Sequence, residues 1–84
     1  MKHATSARLA GFSEVLEQIK GRAGVKEKKP GIYYRKSKSF LHFHEDSTGL
    51  SADLRTGDGF DRYPVNTRRE WQRLLSAIDL AIRS

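Results

Sequence analysis

Leu9, Phe12, Val15, Leu16 and Ile19 recur at three- and four-residue steps, the spacing that gathers apolar side chains into one stripe of an α-helix. This predicts a helix over residues 6–21. Gly11 weakens its first half, which makes Ser13 an alternative N-cap, and Gly21 and Gly24 end it. Beyond residue 30 the period shortens to two. Gly31-Ile32-Tyr33-Tyr34-Arg35, Phe40-Leu41-His42-Phe43-His44 and Leu50-Ser51-Ala52-Asp53-Leu54-Arg55 read as three short strands. Turn signals separate them at Lys36-Ser37-Lys38-Ser39, Asp46-Ser47-Thr48-Gly49 and Thr56-Gly57-Asp58-Gly59. A fourth strand over 60–65 contains Pro64, which has no ladder donor and so belongs at a sheet edge. Helical spacing then returns with Trp71, Leu74, Leu75, Ile78 and Ile82, introduced by the capping box Thr67-Arg68-Arg69-Glu70.

The pattern predicts one α+β domain over residues 1–84: a helix, a three- or four-stranded antiparallel meander and a helix, with both helices on one sheet face. Residues 1–5 are expected to be disordered. Residues 22–30, with Lys26, Glu27, Lys28, Lys29 and Pro30, are expected to form a basic mobile loop, either solvated or in contact with phosphate.

Turn lengths convert the strands into faces. A two-residue turn at Ser37-Lys38 sets Tyr34 opposite Leu41 and Ile32 opposite Phe43; a four-residue loop over 46–49 sets Phe43 opposite Ala52 and Leu41 opposite Leu54. Ile32, Tyr34, Leu41, Phe43, Ala52 and Leu54 then form the buried face. Tyr33, Arg35, Phe40, His42, His44, Asp53 and Arg55 form the open one, together with Ser51, and the fourth strand adds Phe60 and Arg62.

Composition narrows the partners. Sixteen Lys and Arg against ten Asp and Glu give a formal charge of +6, an excess that favours RNA or DNA through counterion release. A chain of 84 residues with 37% hydrophobic residues builds only a thin core, so a homodimer is a second expectation. The chain has no cysteine, which removes disulfides, thiolate metal sites and cysteine nucleophiles. The N-terminal residues lack the apolar run of a signal peptide, and Ser76 and Asp79 interrupt the longest apolar stretch. The expected setting is therefore the cytoplasm, with no membrane contact.

The chemistry on offer is concentrated on the open face. Tyr33, Phe40 and Phe60 are candidate stacking groups for bases, with Arg35, Arg55 and Arg62 on phosphates. Alternatively, His42, His44 and Asp53 serve as a ligand or metal set, because histidines two apart on a strand point the same way and Asp53 lies across the ladder. His3 is the remaining histidine. No P-loop, nucleophile elbow, dinucleotide fingerprint or HExxH helix occurs, so no catalytic residue and no cofactor are assigned. A His42–Asp53 dyad near Ser51 is the one arrangement with hydrolytic potential.

The stretches Gly31-Ile32-Tyr33-Tyr34, Phe40-Leu41-His42-Phe43-His44-Glu45-Asp46 and Ala52-Asp53-Leu54-Arg55 resemble a group of small bacterial proteins of unassigned function. That resemblance implies a bacterial, cytosolic setting and carries no activity over. The element order is also similar to that of double-stranded-RNA-binding domains and of small toxins on the same plan. The Lys-rich helix start of the former and the Gly-Ser-His strand opening of the latter do not stand in this sequence.

Overall fold

The computed structural model describes residues 2–3, 10–47 and 49–83, with side chains from residue 11 onward. The first helix, α1, spans Ser13–Lys20 behind a 3-10 turn at Ala10–Phe12; the predicted helical residues 6–9 lie outside the described residues. Phe12 rather than Ser13 takes the N-cap position, and no side chain among the described residues caps that end. The second helix, α2, spans Arg68–Arg83 and opens with the predicted box: Glu70 N–H donates to Thr67 Oγ1 (3.2 Å), and Thr67 N–H donates back to Glu70 Oε1 (3.1 Å). No helix among the described residues is long and apolar enough to cross a membrane.

Between the helices runs an antiparallel meander of five strands in chain order: β2 (Val25–Lys29), β3 (Ile32–Arg35), β4 (Lys38–Asp46), β5 (Gly49–Thr56) and β6 (Gly59–Pro64). The strand count exceeds the expected three or four because Val25–Lys29, within the expected loop over 22–30, form a strand. Val25–Lys29 pairs with β3 as an edge strand, and Arg22 is fixed by its ion pair to Asp79 of α2 (Nε to Oδ1, 3.1 Å). Of the expected disorder over 1–5, residues 1, 4 and 5 lie outside the described residues, whereas Lys2–His3 form a short strand, β1, antiparallel to the far end of β4, with His3 opposite His44.

One register differs from expectation, and the turn explains it. Lys36 and Ser37, not Ser37 and Lys38, occupy the β3–β4 turn, both with positive φ (55° and 64°), as a type I′ turn demands. Tyr33 therefore lies opposite Leu41 and Ile32 opposite His42. The register then shifts between Tyr33 and Tyr34, which leaves Phe40 as an extra residue on β4, buried next to Leu41. The consequence is an exchange of faces: Tyr33 and Phe40 join the core, whereas Ile32 and Tyr34 become half-exposed. The β4–β5 register is as expected, with Leu41 opposite Leu54 and Phe43 opposite Ala52.

The core joins Ile19 of α1 and Trp71, Leu74 and Ile78 of α2 to Tyr33, Leu41, Phe43, Ala52 and Leu54 of the sheet. Trp71 rivets the layers, its ring centroid 5.0 Å from Phe12 and 5.5 Å from Phe43. At one end Asn66 Oδ1 accepts the Leu50 N–H (2.8 Å). Gly49 there has φ 125°, and a side chain would place its Cβ 2.5 Å from Asn66 Oδ1, so only glycine fits.

Candidate functional site

The sheet face away from this core is built by alternation on its central strands. Leu41 and Phe43 point inward, so His42 and His44 point outward; Ala52 and Leu54 do the same for Asp53 and Arg55. The β5–β6 ladder sets Phe60 opposite Arg55 and Arg62 opposite Asp53. Six of the nine candidate residues thus come together: His42, His44, Asp53, Arg55, Phe60 and Arg62. The other three do not. Tyr33 is fully buried, Phe40 is in the core, and Arg35 lies opposite buried Val25, with its Nη2 donating to the Ile82 carbonyl at the end of α2 (3.2 Å). A cation there satisfies a terminal helix carbonyl and opposes the negative end of the helix dipole.

At the centre of the open face is Asp53. Arg62 grips its carboxylate with two donors, Nε to Oδ1 at 2.8 Å and Nη2 to Oδ2 at 3.1 Å. His44 Nε2 is 3.0 Å from Asp53 Oδ2, and His42 Nδ1 is 3.3 Å from His44 Nε2. In the backbone ladder Asp53 lies opposite His42, yet its carboxylate reaches diagonally to His44. The Arg62 hydrogen bond holds the Asp53 carboxyl below its usual range, its charge assisting and partial burial opposing. The same bond raises Arg62 above its ordinary value.

Beside this network, Phe60 stacks at 4.9 Å on His42 and receives the Arg55 guanidinium at 4.7 Å from its centroid. Arg55 Nε also donates to the Ser39 carbonyl (2.6 Å), which fixes the guanidinium over the ring. Phe60 remains 40% exposed, the one large aromatic among these residues still open to a partner.

A second cluster occupies the other side of the same face. Tyr34 lies opposite Lys26, and Lys28 Nζ sits 5.4 Å over the Tyr34 ring. These residues, with Lys36, Gly24 and Ser37, line a cleft of about 440 Å³. Sequence reasoning placed Tyr34 in the core and Lys26 and Lys28 in a loop. The available signal was the Lys26-x-Lys28 alternation after Val25, which gives both lysines one side of a strand. Set against protein-family models, curated proteins and solved structures, the chain matches none of them.

Proposed function

We propose that this domain binds single-stranded nucleic acid across its open sheet face. The observation that carries the reading is the cleft in which the Tyr34 ring is bordered by Lys26, Lys28 and Lys36. Once the flexible Lys28 side chain swings off it, the partly exposed Tyr34 ring offers a stacking surface for any base, and the adjoining ammonium groups meet the phosphates on either side. The second ring on this face, Phe60 under Arg55, extends the track across the sheet toward β6. Duplex is the poorer fit, because its bases are already stacked and withdrawn from an aromatic platform.

Anisotropy of a labelled oligouridylate tests this reading. Affinity should fall between about 50 and 200 mM salt with a log–log slope near −2, since each of three lysines releases roughly 0.7 counterion from a single strand. Tyr34→Ala should weaken binding by about tenfold, one stacked base being worth about 1–3 kcal/mol. Lys26→Ala should flatten the salt slope instead. Undetectable binding at low salt, or binding indifferent to Tyr34→Ala, rejects the proposal.

A further inference from the structure

The network at the centre of the open face brings two imidazole nitrogens and a carboxylate oxygen together. His44 Nε2 has Asp53 Oδ2 at 3.0 Å and His42 Nδ1 at 3.3 Å. One proton on that nitrogen cannot be aimed at both neighbours. Without that proton, two lone-pair-bearing atoms face each other across the His44–Asp53 contact. A cation held between the three groups can take the place of that proton, because each group then offers a lone pair to the same centre.

We propose that His42, His44 and Asp53 form a binding site for a single divalent transition-metal ion, with zinc the best match. The three ligand atoms lie within 4.8 Å of one another. Nitrogen and oxygen ligands about 2.0–2.1 Å from a tetrahedral zinc ion are separated by about 3.3–3.4 Å. The His42–His44 separation already has that value, the His44–Asp53 separation needs to open by a few tenths of an ångström, and the His42–Asp53 pair, within 4.8 Å, closes toward it by side-chain rotation. Two imidazoles and one carboxylate select zinc, cobalt, nickel or iron over calcium and magnesium, which prefer all-oxygen shells.

The scaffold supports the assignment. All three residues sit on β4 and β5, paired strands with no register shift between them, so their backbone positions are fixed before an ion arrives. Arg62 donates to both carboxylate oxygens and orients Asp53, the role that outer hydrogen bonds fill around metal centres. His44 and Asp53 side chains each retain 15% exposure, which leaves an entry path from solvent. Three protein ligands leave the fourth tetrahedral position to water or an anion, the arrangement of an open rather than a closed zinc site.

The inference does not rest on nucleic-acid binding, and it is tested with no oligonucleotide present. The full, untagged chain carries His3→Ala throughout, because β1 sets His3 opposite His44 in the ladder. Zinc chloride is titrated by calorimetry, with imidazole ¹⁵N shifts recorded in parallel. The expected result is one ion per chain at micromolar affinity, with the largest shifts at His42 Nδ1 and His44 Nε2. Cobalt(II) should develop the intense visible bands of a four-coordinate ion. His44→Ala and the shape-conserving Asp53→Asn should each weaken zinc binding by at least about tenfold, with circular dichroism verifying the fold of each variant. Affinity weaker than millimolar, or zinc binding unchanged in Asp53→Asn, overturns the proposal. The isosteric variant keeps the test decisive if His44→Ala fails to fold.

Discussion

Arg62 sets the pH behaviour of Asp53 by placing a donor on each carboxylate oxygen. The Arg62 hydrogen bond holds the Asp53 carboxyl of the folded chain below its ordinary value, so the ion pair contributes stability above the unfolded carboxyl value and loses it as pH falls through the lower folded one. Denaturant melts across an acid series should therefore show Arg62→Ala less stable than the parent at neutral pH. The gap should be small, because Arg62 is half exposed, and should close in acid once Asp53 is protonated in both proteins. A gap that is constant with pH would detach the effect from Asp53. That these residues share one face was legible in the sequence, from strict alternation and a short connection between β4 and β5 and from Gly57 and Gly59 before β6, but their pairing was not. The diagonal reach of Asp53 to His44 was not, since alternation fixes a face and leaves the rotamer open.

At the scale of elements, the β3–β4 hairpin is where sequence logic went astray. Neither Lys36 nor Ser37 favours positive φ, so nothing in Lys36-Ser37-Lys38-Ser39 marks which two residues turn, and a slip of one exchanges every face on β3. The bulge at Phe40 is similarly silent, its large apolar side chain fitting either side of a strand. Ser37→Gly relieves one of the two left-handed positions and should raise stability by about 0.5–1 kcal/mol in urea melts; a destabilised Ser37→Gly would argue against this turn. β2 escaped notice for a different reason. Four of its five residues are charged, the composition that keeps an edge strand from pairing with another chain and that also imitates a loop. By contrast α2 declares itself twice, through its apolar stripe and through a capping box that binds its own backbone.

Across the whole molecule, charge and apolar surface are sorted by the sheet. One side holds both helices' buried residues, and the other holds the histidines, the paired arginines and the Tyr34 cleft. The five main strands neighbour one another in chain order, so each ladder closes over a short connection. The contacts that tie the segments flanking α1 to α2 are remote, Phe12 on Trp71 and Arg22 on Asp79, the latter 57 positions apart. Loop-closure entropy then orders the events of folding: hairpins zip first, and the two ends meet after the rate-limiting barrier. In stopped-flow measurements Asp79→Ala should speed unfolding and leave the folding rate nearly unchanged, whereas an equal slowing of folding would place the helix contact inside the nucleus. A chain assembled in that order carries finished hairpins whose apolar side stays uncovered until Trp71, Leu74 and Ile78 of α2 arrive.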